Sequence, residues 1–556
     1  MESDYETLYK EILLMSTALK GTAANLPKST KESSLLQNVQ AFATLLTVTT
    51  PTDSSSANVV AVTGVVGMDS LSTVVTARNR VGETQMVDLS EETISARARD
   101  SVAMGKLANA FENGNPEFHV HLQDVATFVE HLRLVSLQKD DDAFVTAKAH
   151  FLVFIHRRAF EKIHARMNYG NKLWSGGDPL AILASQPVSD ISPTLFKLVP
   201  SPFLNNVLHK RGLVPNGKRF TINTANAAQW LGTILELRGL FNQLVSEGTQ
   251  PAKLYQDGIK IRKTRILRVE RYQDCFDIIE AMYKLCERES LVQALTSAYA
   301  PSEAALIAAS LSPPTEGTSA EDEETRELVT EGTSNRYREY GITHAFRYYR
   351  TFTSWTQASF VMFRLITRLN ARRIEFHLVS PTDVTIQSNV PTLTKEDVVE
   401  FMVANANACK NEPFKSITDT GDGFEKVKAP VHCEAQLMGL IHLKVHRPLM
   451  LKPTVSAMLP DFVDSIPIGI GKKCCFMCHL FGKHIARDRP EFILPGTHGI
   501  IHPWVPPPYI DDVHLVRTLH WELKSIFRNK FSPPSSYSSS PADDSDEDWR
   551  QGRTDI

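Results

Sequence analysis

No run of about 18 apolar residues occurs in this 556-residue chain, so no membrane-spanning helix is expected. The first residues, Met1-Glu2-Ser3-Asp4, carry neither a basic n-region nor an apolar h-region, and no secretory signal is expected from them. An excess of one charge is also missing. Lys and Arg number 60 against 63 Asp and Glu, and the formal net charge of −3 excludes a global attraction to nucleic acid. Any such binding would need a local patch. Cysteine is sparse: Cys275, Cys286, Cys409, Cys433, Cys474, Cys475 and Cys478 are all there are. The last four fall in one short block, the distribution of a metal site and not of a disulfide framework. The reducing interior of a cell, cytoplasm or nucleus, is the expected location.

What is present is ordinary globular material, 42% hydrophobic and 22% charged, enough for a sizeable core. The length corresponds to about three or four domains, or to one domain with long insertions. Residues 4–20 and 34–48 pattern as amphipathic helices. After a polar linker the period changes: 59–66 and 73–80 are β-branched runs around Gly67-Met68-Asp69-Ser70, a hairpin pattern. Helical spacing of apolar residues then recurs over 90–112, 121–138, 141–168, 223–247, 258–299 and 341–371. Ser312–Asn335 is acidic and rich in Gly, Ser and Pro, the composition of a disordered loop. Ile374, Phe376 and Leu378 alternate as in a strand, and Thr394-Lys395-Glu396-Asp397 reads as a helix start.

Two basic stretches lie in the helical region. One is Lys260, Arg262, Lys263, Arg265, Arg268 and Arg271. The other sets Arg336, Arg338, Arg347 and Arg350 among Tyr337, Tyr340, Tyr348 and Tyr349. Basic residues with aromatics can track a single strand by phosphate contact and base stacking. The plain alternative is an amphipathic helix with arginines on its wet face.

The segment that carries chemistry is 430–508. It opens Pro430-Val431-His432-Cys433-Glu434 and continues downstream with Ile468-Gly469-Ile470-Gly471-Lys472-Lys473-Cys474-Cys475-Phe476-Met477-Cys478. Pro430 suits the first position of a helix, where no backbone N–H is needed, and Leu437, Leu440 and Ile441 follow at helical spacing. His432 and Glu434 are two apart and would leave a helix flank on different sides, so both can face one metal only off the helix N-terminus. Cys475 and Cys478 are three apart and share a helix face. A β-like run at 466–470, turned by Gly471, would deliver them to the same edge. Two helix N-termini then point positive dipole ends at the site, which favours thiolate over thiol. His-x-Glu also occurs at His520-Trp521-Glu522, with nothing downstream to complete a site; Cys-x-x-Cys occurs once. Farther on, 491–494 and 500–504 read as two short antiparallel strands around Gly496-Thr497-His498-Gly499, and 513–527 as an amphipathic closing helix. Residues 532–556, rich in Ser, Pro and Asp, have the composition of a disordered acidic tail.

His-x-Glu on one helix, then a strand running into Cys-x-x-Cys, is the layout of the zinc-dependent cytidine-deaminase-like superfamily. Over Val431–Leu440, Pro467–Phe481 and Gly496–Pro506 the chain resembles the fungal group of deaminase-like proteins within it. Those proteins share a long helical region ahead of the zinc block and a Gly-Thr-His-Gly-like turn after it. The resemblance implies an α/β fold: a three-layer α/β/α cytidine-deaminase-like core with a large, mostly α-helical additional region. It implies one Zn2+ held by His432, Cys475 and Cys478, with a fourth position open as in catalytic sites, and Glu434 as the proton shuttle. In that fold the first two strands form a hairpin whose second strand often ends in an Asn touching the substrate ribose. Ala77-Arg78-Asn79-Arg80 resembles that ending and makes Asn79 the candidate substrate-binding residue; an unrelated surface hairpin is the alternative. One departure stands out: the motif usually reads Pro-Cys-x-x-Cys, and Cys474 occupies the proline position, a second candidate ligand.

The expected organisation is then N-terminal helices over 1–55 and the candidate first β-hairpin of the core over 56–88. A mainly helical region follows over 89–424, as a possible insertion with its disordered acidic loop at 312–335. The zinc-binding core spans 425–530 and the tail 531–556. The expected function is a zinc-dependent hydrolase of amidine C–N bonds, deaminating a cytosine or adenine base in single-stranded DNA or RNA, with no membrane partner. Two alternatives stand beside it. One is a deaminase of free nucleosides or nucleotides. The other is an inert, zinc-stabilised helical interaction protein, whose structural zinc would take a fourth ligand from Cys433 or Cys474. His498 and His502 read most simply as loop histidines, Trp504 as core, and Cys275, Cys286 and Cys409 as buried apolar residues.

Overall fold

The structure, a computed structural model, describes residues 2–22, 24, 34–49, 59–64, 66–67, 70–71, 73–78, 91–109, 116–174, 177–256, 259–309, 341–368, 373–379, 393–410, 414–415, 417, 427, 429, 431–461, 465–471, 474–486, 491–497 and 499–531. The acidic segment at 312–335, the tail from 532 on, Asn79, Pro430 and His498 lie outside the described residues. The chain is mostly helical around a small mixed sheet. No helix among the described residues is long and apolar enough to cross a membrane.

The strands that matter are β1 (Val60–Thr63), β2 (Thr73–Arg78), β3 (Glu375–Leu378), β4 (Ser465–Pro467), β5 (Gly469–Ile470) and β6 (Glu491–Ile493). The main sheet runs in the order β5-β1-β2-β3. β1 is antiparallel to both β2 and β5, and β3 lies parallel to β2. β4, which leads directly into β5, pairs in parallel with β6. The hairpin near residue 60 and the strand ahead of the Cys-x-x-Cys are therefore neighbours in one sheet, although some 400 residues separate them; Thr63 Oγ1 donates to the Pro467 carbonyl across that gap.

The helices that frame the sheet are α1 (Glu2–Ala18), α2 (Ser34–Leu46), α3 (Asp141–Leu173), α4 (Ile342–Arg368), α5 (Cys433–His446), α6 (Phe476–Ile485) and α7 (Val513–Phe531). Side chains of β1 and β2 alternate between two cores. Val60, Val62 and Val74 join α2, α3 and α4 in one, while Ala61, Val75 and Ala77 join α1, α5, α6 and α7 in the other. A sheet buried on both faces has no polar side to alternate with, which is why its strands read as β-branched runs. α2 lies on β5 at backbone distance. A Cβ built on Gly469 would stand 2.5 Å from the Val39 carbonyl oxygen, so only glycine permits this approach. The Gln40 side chain then completes the sheet edge: its Oε1 accepts from Ile470 N–H at 2.9 Å and its Nε2 donates to the Ile470 carbonyl.

Several expected elements are corrected. The helical pattern over 90–112 is two helices, Glu91–Ala98 and Ser101–Asn109, because the Asp100 carboxylate accepts from Val102 and Ala103 N–H and starts a new one. The basic run from Lys260 is not helical. Ile259–Leu267 is a strand antiparallel to Thr249–Gln256, and its alternation of Ile259 and Ile261 with Lys260 and Arg262 is the period of a strand. Residues 491–494 and 500–504 do not form a hairpin, since β6 pairs with β4 instead. Gly499 and Ile501 bond instead to the segment after α1: Ala24 N–H to Gly499 O (2.8 Å), Gly21 N–H to Ile501 O (3.0 Å) and Ile501 N–H to Thr22 O (2.9 Å). The start of helix Lys395–Ala404 is as expected, with a capping box between Thr394 and Asp397.

Tyr348 and Tyr349 are fully buried in the helical body. The Tyr349 hydroxyl donates to Asp178, which pairs with Arg238 at 2.7 Å, and Arg238 also donates to the Tyr348 hydroxyl at 2.8 Å. Arg350 donates to the Cys286 carbonyl and faces Glu287 at 3.6 Å. The described part of the Arg- and Tyr-rich stretch is thus core, with no ring face open for a base.

Candidate metal centre

α5 begins at Cys433, with His432 as its N-cap in an extended conformation (φ −69°, ψ 139°). The first helical position is therefore Cys433 and not Pro430. α6 begins in the same way: Cys475 is its N-cap (φ −72°, ψ 162°), and the Cys475 sulfur accepts from Cys478 N–H at 3.3 Å. The chain between β5 and α6 is fixed from the side. Cys474 N–H donates to Gly496 O at 3.1 Å, Thr497 Oγ1 donates to Cys474 O at 2.8 Å, and Phe476 N–H donates to Ile500 O at 3.0 Å. The turn that supplies these partners needs left-handed glycines at Gly496 (φ +88°) and Gly499 (φ +69°).

Two helix N-termini thus meet at one point. His432 Nδ1 lies 3.3 Å from Cys475 Sγ and 3.4 Å from Cys478 Sγ. Glu434, in the first turn of α5, places Oε1 3.9 Å from His432 Nδ1, and the Cys433 thiol donates to Glu434 Oε2 at 3.2 Å. Donor atoms of His432, Glu434, Cys475 and Cys478 all lie within 4.8 Å of one another, and all four residues are buried. Because His432 and Cys475 cap their helices instead of lying on a flank, residues two and three apart converge.

This donor set fits a metal ion. With metal–sulfur and metal–nitrogen bonds of about 2.3 and 2.0–2.1 Å at a tetrahedral angle, sulfur and nitrogen stand about 3.6 Å apart; 3.3 and 3.4 Å are close to that. The electrostatics agree. Burial pushes the Cys475 and Cys478 thiols well above the ordinary range, so without a cation they hold their protons. Burial alone would lower His432, but the neighbouring Cys475 sulfur and Glu434 carboxylate outweigh it and raise it. A site that turns two sulfurs, an imidazole and a carboxylate onto one buried point is suited to a cation, reinforced by the two positive helix ends. Cys474 borders this group: its thiol donates to the Cys475 carbonyl at 3.4 Å and also meets the Cys478 sulfur, and burial pushes it up to about 12.

Of the residues singled out in the sequence, His432, Glu434, Cys475 and Cys478 come together. β2, which leads toward Asn79, lies beside β1 in the same sheet as β5. Sequence reasoning missed Trp504. It is core, as expected, but its indole N–H donates to Cys478 Sγ at 3.2 Å. The available signal was general: a buried tryptophan N–H must find an acceptor.

Residues 431–508 match the model of a family described as OTT_1508_deam:-like deaminase. No curated protein and no solved structure matches the chain. The matched segment contains α5, β4, β5, α6 and β6; it does not contain α1, α2 or β1–β3. The segment that is similar to a deaminase family is thus the one that carries a buried His/Glu/Cys/Cys cluster that could hold a metal.

Proposed function

We propose that the chain is a zinc-dependent hydrolytic deaminase with a cytidine-deaminase-like α/β/α core, akin to the fungal deaminase-like group, and that it acts on a cytosine or adenine base. The observation that carries this reading is the convergence of His432, Cys475 and Cys478 with Glu434 inside the segment that matches a deaminase family. In it His432, Cys475 and Cys478 hold the ion. Zinc with three protein ligands and an open position makes water a nucleophile at neutral pH. Glu434 is kept for proton transfer: it takes the two protons of the attacking water in turn, giving the first to a ring nitrogen and the second to the amine that leaves as ammonia. The Cys433 thiol, bonded to Glu434 Oε2, fixes the carboxylate for that task. An inert structural zinc, with a fourth protein ligand from Cys433 or Cys474, would leave no turnover for a change at Glu434 to affect.

Where the base is carried divides two readings. On single-stranded nucleic acid, phosphate contacts are needed outside the pocket; Arg268 and Arg271 are exposed and available for them, although Arg271 also pairs with Asp274. The burial of Tyr348 and Tyr349 removes the described half of the expected stacking surface, Tyr337 and Tyr340 lying outside the described residues, and favours the second reading, a free nucleoside or nucleotide. The test is deamination by the purified chain and its Glu434→Gln variant. Turnover should fall by about 10²–10⁴-fold in the variant while metal content and folding persist. Equal turnover in the two removes Glu434 from the chemistry. Turnover on oligonucleotides that falls steeply with salt assigns the strand, and salt-independent turnover of a free nucleoside assigns the small molecule.

A further inference from the structure

We infer that Trp504 is a positioning residue for the metal and that helix α1, far outside the deaminase-matched segment, is part of the metal site because it fixes Trp504. The inference rests on the metal reading proposed above. Trp504 is fully buried, and its indole N–H points at the Cys478 sulfur at 3.2 Å. A neutral thiol is a poor acceptor for a buried donor; a metal-bound thiolate is a good one, since the bond becomes charge-assisted. The indole also leans on Phe481, one turn beyond Cys478 on α6, with centroids 5.8 Å apart and planes at 54°. Its direction is thereby set against the same helix that carries the sulfur.

The backbone of Trp504 is held from the other end of the chain. Its N–H donates to Ser16 Oγ at 3.0 Å, and Ser16 Oγ lies 3.3 Å from the Trp504 carbonyl oxygen, 488 residues away in sequence. The three backbone bonds between 21–24 and 499–501 pin the strip leading into it. The path is continuous: α1 sets Ser16, Ser16 sets the Trp504 backbone, and the indole N–H orients and partly neutralises the Cys478 thiolate. Groups one step beyond the ligands act in this way, and their loss typically costs about 10–100-fold in metal affinity.

The experiment uses the full chain loaded with cobalt(II), with affinity from chelator competition and the sulfur-to-cobalt charge-transfer band as a second readout. Trp504→Phe keeps an aromatic ring and removes the N–H. It should weaken binding by about 10–100-fold, and the band should move to longer wavelength, because a sulfur that no longer shares its lone pair donates an electron more readily. Ser16→Ala, with the indole intact, should shift both readouts in the same direction by less. Wild-type affinity and an unmoved band in Trp504→Phe would overturn the role of Trp504. Should Trp504→Phe fail to fold, Ser16→Ala decides, and unchanged readouts there overturn the inference. A wild-type chain that takes up no cobalt would instead bring down the metal reading itself.

Discussion

Replacing Gly469 by alanine is expected to part strand β5 from helix α2. The new methyl carbon would sit 2.5 Å from the Val39 carbonyl oxygen and closer still to the Val39 carbonyl carbon and the Gln40 nitrogen. Non-bonded heavy atoms settle at about 3.5–4.0 Å, so strand and helix would have to separate by about 1 Å. The obstacle is backbone, which has no rotamer with which to yield. Overpacking of this kind costs about 1–3 kcal/mol, and the separation also loosens the two bonds between the Gln40 amide and Ile470. Urea denaturation should show a lower midpoint at an unchanged slope. Metal affinity should fall with it, because Ile470 leads into the cysteines. Gly239→Ala is the control: the position is exposed on helix Ala227–Gly248, nothing lies within 4 Å of the added methyl, and the change should stabilise by about 0.5–1 kcal/mol. Wild-type stability in Gly469→Ala, with Gly239→Ala behaving as expected, would refute the close seating of α2 on the sheet.

Asp178→Ala should lower stability by about 3–5 kcal/mol, because it strands the buried Arg238 guanidinium and removes the N-cap of helix Pro179–Ala184. A loss below about 1 kcal/mol in chemical denaturation would contradict that, since an exposed pair is worth no more. Acid should destabilise the helical body through two buried histidines. Burial, helped by the Arg158 cation, holds His121 down to about 3, and burial holds His156 down to about 4; both titrate near 6.5 when unfolded. Between those values the unfolded chain binds more protons, so stability is full above about pH 7 and is lost progressively as pH falls through about 6.5. Melting temperatures from pH 7 to 4 should fall, less so in His121→Gln; a flat profile would contradict the burial of both rings.

Legibility followed the range of the interactions. The helices α1, α2, α4 and α7 and the β1–β2 hairpin were readable because their apolar periods are local and strong. The convergence of His432, Glu434, Cys475 and Cys478 is readable in outline, from a His-x-Glu that can meet one ion only off a helix N-terminus and from the resemblance, but not in detail. Its geometry depends on His432 and Cys475 being helix caps, and no spacing rule for helix flanks describes that. The basic segment from Lys260 reads as helix only when the helical period of Tyr272–Ala298 is carried back over it and the partner strand Thr249–Gln256 is out of view. The pairing of β6 with β4, and of 499–501 with 21–24, was hidden for the same reason. A backbone partner outside the local window, whether in the same block as β4 or at the other end of the chain as 21–24, leaves no mark on the local pattern. Glycine was the exception. Ile468-Gly469-Ile470-Gly471 records in sequence that something must approach the strand closely, though not that the visitor is α2.

The most direct test of the central claim is elemental analysis of the purified full chain beside its Cys475→Ser and Cys474→Ser variants. The proposed reading predicts about one zinc per wild-type chain, lost in Cys475→Ser and kept in Cys474→Ser, since it assigns His432, Cys475 and Cys478 from the four-residue cluster as the ligands. A fully folded wild-type chain without metal, or a Cys474→Ser variant that loses zinc while Cys475→Ser keeps it, would contradict it.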